Sequence, residues 1–248
     1  MLAEETDVIW ERVVETLPRA QLEALQLERL RKTVQLAYAR VPLYRQRFDA
    51  AGLDADRIKS LDDLRRFPFV TKADFRAAYP FGLLAVPRED LRELHASSGT
   101  TGSISLTGYT MKDLDVWADL VARVFGCAGA PPRSLVHNAY GYGLFTGGLG
   151  FHYGAQRYGC TVLPMSGGNT GRQIRMMKDL RPDVLCCTPS YALHLAEAWH
   201  EAGYDDADLS ARVGIFGAEP ATDGMRREIG EQLRLTAIDI YGLAEAIG

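Results

Sequence analysis

A chain of 248 residues with 47% apolar and 24% charged residues can bury a sizeable core and has the composition of an ordinary globular protein. The net charge of -4 and a pI near 5.8 argue against a general nucleic-acid binder, which carries a basic excess, yet leave room for a local site for a small anion. No apolar run approaches the roughly 18 residues of a membrane span, and the acidic start Met1-Leu2-Ala3-Glu4-Glu5 lacks the order of a secretory leader; the chain is read as cytoplasmic, with neither nucleic acid nor membrane as partner.

Residues 4–80 read as helices joined by short breaks. Leu27, Leu30, Val34, Ala37 and Tyr38 form one apolar stripe at helical spacing, with Pro42 following its end. Ser60 with Asp63, and Thr71 with Asp74, have the pattern of N-caps with an acid three residues on. Phe67-Pro68-Phe69 reads as a rigid link. The basic residues Arg29, Arg31, Lys32, Arg40, Arg45 and Arg47 read as the solvated face of these helices. Residues 1–90 are thus a helical region packed on a main domain, residues 91–248.

In that second part short apolar runs alternate with helical patterns. Leu91 to Ala96 leads into a loop rich in Ser, Gly and Thr, and Thr110 caps a helix with Leu114, Trp117, Val121, Val124 and Phe125 on its apolar face. Strands are predicted over 134–138, 161–165, 183–187, 212–216 and 235–240. Helices are predicted over 145–158, 170–180, 190–200 and from the 217–220 turn to Leu233. Strands alternating with helices imply an α/β fold, a mostly parallel sheet flanked by helices on both faces. Ligands of such sheets bind beyond the carboxyl ends of the strands, so the loops after these strands should converge on one cleft. Cys127, Cys160, Cys186 and Cys187 form no C-x-x-C pair and read as buried free thiols; these cysteines and the five histidines have no metal-ligand spacing.

The stretch Ser97-Ser98-Gly99-Thr100-Thr101-Gly102-Ser103 concentrates hydroxyls and glycines, which can bring backbone N–H groups and side-chain O–H groups close to a phosphate chain. It is not a Walker A loop, and the chain has no G-x-G-x-x-G fingerprint. Taken with the run from Asn138 to Gly150, Ser166-Gly167-Gly168, Thr188-Pro189-Ser190-Tyr191, Phe216-Gly217-Ala218-Glu219-Pro220 and the run from Asp239 to Glu245, in this order, it resembles the phenylacetate–coenzyme A ligase family, a branch of the adenylate-forming enzymes.

The resemblance implies a two-step reaction. An aryl carboxylate attacks the α-phosphorus of ATP to give acyl-AMP and pyrophosphate, and the thiolate of coenzyme A then displaces AMP. It implies that Ser97, Ser98, Gly99, Thr100, Thr101 and Gly102 hold the phosphates, and that Glu245 holds Mg²⁺, a hard cation that prefers oxygen. Thr101 and Glu245 are the implied catalytic residues. Gly217, Ala218, Glu219 and Pro220 would line the adenine pocket, with Asp239, Ile240 and Tyr241 beside the adenine and α-phosphate; Glu219 and Asp239 have the alternative of capping a helix or ending a strand. Tyr140, Gly141, Phe145 and Gly147 would form the acyl pocket, flat rings beside open glycines suiting an aryl acid; core packing is the alternative. Ser103 stands where the family has lysine, and Ala244 where it has serine. The chain ends three residues after Glu245, where the resemblance implies a ribose-binding carboxylate and a mobile C-terminal lid domain, so the expectation is the N-terminal part of such an enzyme, with the lid absent. A non-catalytic relative that binds ATP or an aryl acid and acts through a partner is the alternative, and a homodimer is compatible with either.

Overall fold

The computed structural model describes residues 9–96, 106–243 and 246. They divide into two compact units at Met111/Lys112, and Ile9 and Trp10 go with the second.

The first unit carries helices α1 (Arg12–Glu15), α2 (Arg19–Arg40), α3 (Pro42–Ala50) and α4 (Lys72–Ala77), with short 3₁₀ turns at Leu61–Arg66 and Arg88–Asp90. The predicted stripe lies on α2: Val34 is buried with Phe48, Ala55 and Ile58, and Leu27, Leu30 and Tyr38 pack against them. Pro42 opens α3 directly, at a position where the missing N–H costs nothing. Both predicted capping boxes form, the carboxylate of Asp63 accepting the Ser60 N–H at 3.0 Å and that of Asp74 the Thr71 N–H at 2.7 Å. The rigid link splits its two rings: Phe67 meets Phe48 edge-on at 5.0 Å, while Phe69 is exposed.

This unit also holds a feature the sequence reading missed. β1 (Leu91–Ala96) pairs antiparallel with β2 (Leu106–Thr110), Ala96 opposite Leu106. Thr110, expected to cap the following helix, is the last residue of β2. The stretch Ser97–Ser103 joins these two strands and lies outside the described residues. The contact boundary thus groups β1 and β2 with the helices, later in the chain than the 90/91 division read from the sequence.

The second unit is the expected α/β sheet. Its strands are β3 (Leu135–Asn138), β4 (Thr161–Pro164), β5 (Val184–Cys187), β6 (Val213–Phe216) and β7 (Thr236–Asp239). They lie in the order β4-β3-β5-β6-β7, and every pairing is parallel. All four residues of β5 and of β6 are buried, as strands covered on both faces must be. The alternation of side chains deals them into two cores. Val184 and Cys186 join α5 (Met111–Cys127) and α6 (Thr146–Tyr158) through Trp117, Phe125 and Phe151. Leu185 and Cys187 join α7 (Thr170–Leu180), α8 (Pro189–Glu201) and α9 (Asp223–Leu233) through Ile174, Trp199 and Ile229. The small residues of α6 have a packing reason: a Cβ on Gly154 would lie 2.4 Å from the Cβ of Val121. Three cysteines are buried as read, whereas Cys127, at the end of α5, is exposed.

The strand order fixes where a ligand site can form. The chain leaves β3 toward β4 on one side, then returns across β3 to β5 and continues outward through β6 and β7. Connections therefore diverge between β3 and β5, and a crevice opens beyond the carboxyl ends of that pair.

Candidate active site

A cleft of about 430 Å³ lies at this divergence. Ala139, Tyr140 and Gly141, just after β3, form one wall; Thr188, Ser190 and Tyr191, just after β5, form another. Phe145 and the glycines Gly167 and Gly168 close the sides, and His194 of α8 stands at the edge.

Tyr140 is nearly fully buried. Its hydroxyl donates to the Ile215 carbonyl at 3.4 Å, and its ring stacks on Phe151 at 5.0 Å and 24°. Burial pushes its phenol far up, so it stays neutral. The ring is therefore a fixed wall shared by core and cleft, which unites the two readings offered for it. Phe145 is 44% exposed and precedes α6. Gly147 gives its ring somewhere to lie: a Cβ there would sit 2.7 Å from the Phe145 ring.

Two buried polar side chains organise these walls, and neither had a role in the sequence reading. Asn138 donates from Nδ2 to the Tyr142 hydroxyl and to the Gly148 carbonyl, both at 2.8 Å, and its Oδ1 accepts the Tyr140 N–H at 3.3 Å. The Tyr142 hydroxyl in turn donates to His152 Nδ1 at 3.2 Å, and burial raises its pKa to about 12. Gln173 donates from Nε2 to the carbonyls of Ser166 (2.6 Å) and Gly168 (3.1 Å), while its Oε1 faces His137 Nε2 at 2.5 Å. This holds a turn in which Ser166, Gly168 and Asn169 all have positive φ. The available signal was a polar residue inside an apolar pattern, His137 in β3 and Gln173 beside Ile174 and Met177 on α7.

The turn after β6 is equally constrained. Gly217 is buried, and a Cβ on it would meet Ile240 at 2.7 Å, so the ends of β6 and β7 approach as only glycine permits. Ala218 has φ +71°, a left-handed conformation uncommon for a residue with a side chain. Glu219 accepts the Ser190 backbone N–H at 2.6 Å, the helix-cap alternative. Pro220 and Asp239 are exposed, Asp239 ending β7; Ile240 is half-buried and Tyr241 is 89% exposed. A second, mainly apolar hollow of about 280 Å³ lies between α5 and α6, with Trp117, Val121, Gly147, Ile240 and Tyr241 on its walls. The predicted acyl residues therefore divide: Tyr140, Gly141 and Phe145 face the cleft, and Gly147 the hollow. Ser97, Ser98, Gly99, Thr100, Thr101, Gly102 and Glu245 lie outside the described residues.

No protein-family model matches the chain. Individual proteins do. It is 52% identical to the phenylacetate-coenzyme A ligase of Escherichia coli, over 95% of this chain and 54% of that protein. It is 51% identical to that of Thermus thermophilus, over 97% of this chain and 54% of that protein. The chain belongs to the phenylacetate–coenzyme A ligase family. It spans about half the length of the curated relatives it matches. Its fold is also that of an adenylate-forming coenzyme A ligase: an open conformation of 2-hydroxyisobutyryl-CoA ligase, solved in complex with 2-HIB-AMP and CoA, superposes with a TM-score of 0.91 at 29% identity, over 100% of this chain and 59% of that one. At the point of divergence of its sheet the second unit carries an aromatic-walled cleft, and Glu219 ties the turns after β5 and β6 together.

Proposed function

We propose that this chain carries the acid-activating part of an aryl-acid–coenzyme A ligase, with phenylacetate as the preferred acid. ATP, with Mg²⁺, converts the carboxylate to an acyl-adenylate and pyrophosphate; coenzyme A then takes the acyl group and releases AMP. The observation that carries this reading is the cleft between Tyr140 and Phe145 at the carboxyl ends of β3 and β5. The 52% identity to ligases of that name supports it, and so does the likeness to a ligase solved with an acyl-adenylate and CoA.

In this reading the first step is a matter of placement and of charge neutralisation. The neutral, immobile ring of Tyr140 and the accessible ring of Phe145 take the aryl group between them, with Gly141 leaving space alongside and Gly147 making room for the Phe145 ring. Ser97 to Gly102, including Thr101, take the phosphates; Gly217 to Pro220 with Asp239, Ile240 and Tyr241 take the adenosine side; Glu245 takes the metal. A substrate set of ATP and coenzyme A is that of a cytoplasmic enzyme.

The test is pyrophosphate exchange into ATP, dependent on an aryl acid, by this chain supplied with the remaining half of a relative. Phenylacetate should support exchange. Phe145→Ala should raise the KM for phenylacetate about 10- to 100-fold, the loss of about 1.5–3 kcal/mol of apolar contact, and leave the KM for ATP unchanged. Absence of exchange with phenylacetate and with a panel of aryl acids overturns the reading. Ser103, in place of the lysine implied by the resemblance, motivates a second reading as a non-catalytic binder, for which calorimetry would find nucleotide bound without exchange.

A further inference from the structure

The turn after β6 contains a carboxylate that bonds to the backbone of a neighbouring helix. Glu219 reaches the second residue of α8 and accepts the Ser190 N–H at 2.6 Å. The first turn of any helix has N–H groups with no partner inside the helix. Here Thr188 caps α8 and takes the Tyr191 N–H, and Pro189 has none to offer. Glu219 satisfies the donor between them, and its carboxylate meets the positive end of a 13-residue helix. The turn that carries it has reason to need an anchor. Ala218 is left-handed, and Gly217 sits directly against Ile240. At the other end of the contact, Thr188 and Ser190 are walls of the cleft.

We propose that Glu219 is a positioning residue: it clamps the Gly217-Ala218 turn to the first turn of α8, joining the nucleotide side of the site to the cleft wall, and does not read the base. This rests on the reading that residues 217–220 hold the nucleotide. A carboxylate that touched adenine would discriminate among bases. A clamp changes affinity for every nucleotide by one factor, because it changes the shape of the turn and not the pattern of donors offered to the base.

Two measurements on the 248-residue chain test this. The first is amide hydrogen exchange, which requires no ligand. In Glu219→Ala, segments 186–192 and 214–221 should exchange about tenfold faster, the loss of one charge-assisted hydrogen bond. Glu219→Gln, which keeps a neutral acceptor, should lie between wild type and Ala, and Glu219→Asp, one methylene short, should behave like Ala. The second is calorimetric binding of AMP and GMP. Both dissociation constants should rise by the same factor, about tenfold in Glu219→Ala, with the AMP-to-GMP ratio unchanged and partial recovery in Glu219→Gln. Unchanged exchange in the two segments overturns the clamp and leaves the nucleotide reading standing. A shifted AMP-to-GMP ratio overturns it in favour of direct base contact. A wild-type chain that binds neither nucleotide overturns the nucleotide reading and, with it, this role for Glu219.

Discussion

His137 illustrates how one side chain ties stability to pH. It is fully buried in the middle of β3, and burial disfavours its charged form, so its pKa lies below the usual 6.5 despite the opposing hydrogen bond to Gln173. A histidine depressed in the fold takes up its proton in the unfolded chain first. Its contribution is complete above about pH 6.5 and is lost as pH falls below that value. Half-buried His152, also depressed by burial, acts in the same direction. Urea unfolding at about pH 7.5 and about pH 5.5 should therefore show a lower midpoint at the more acid value, and a smaller difference in His137→Asn; an equal difference in that variant would show that His137 does not titrate with unfolding. Residues of this kind were the least legible in the sequence. Asn138 and Gln173 hold the cleft walls by hydrogen bonds to the carbonyls of Gly148 and Ser166, and a polar residue inside an apolar pattern was the one linear sign that such a side chain turns inward. Tyr140 and Phe145, singled out through the family resemblance as rings beside glycines, both line the cleft, and Glu219 was legible only as two alternatives.

Local elements were easier to read, because their signals lie within a few residues. The two capping boxes are examples, and Asp74 makes the second testable. The Thr71 N–H and hydroxyl hold its carboxyl below the usual carboxylate range, and the Arg47 guanidinium beside it adds to this. A depressed acid contributes above its unfolded value near 3.9 and loses that contribution as pH falls through its lowered folded value. Asp74→Asn should lower stability at about pH 7, by an amount that shrinks as acid protonates the wild-type carboxyl; circular dichroism across an acid titration would show the two curves converging. Convergence would fail if Asp74 worked only through its shape. The strands of the parallel sheet were readable from their continuous apolar runs. β2 was not: Leu106-Thr107-Gly108-Tyr109-Thr110 has no clean alternation, and its partner β1 lies across the Ser/Gly/Thr stretch. Pairing between strands depends on partners that no local window contains.

For the second unit, the βα alternation gave the fold class, and the parallel order β4-β3-β5-β6-β7 then determined where its crevice opens. The order itself could not be read from the chain, because each right-handed crossover leaves open on which side of the growing sheet the next strand lands. Sorting of side chains by alternate faces has a further result. It sends Cys186 to one core and Cys187 to the other, and Cys160 is also enclosed, with all three thiols pushed up by burial. Cys127 alone is open to solvent. A bulky disulfide reagent should therefore consume one equivalent per native molecule and four once urea has opened both faces of the sheet. The absorbance released over time would count molecules that have come apart, giving this protein a built-in clock for its own unraveling.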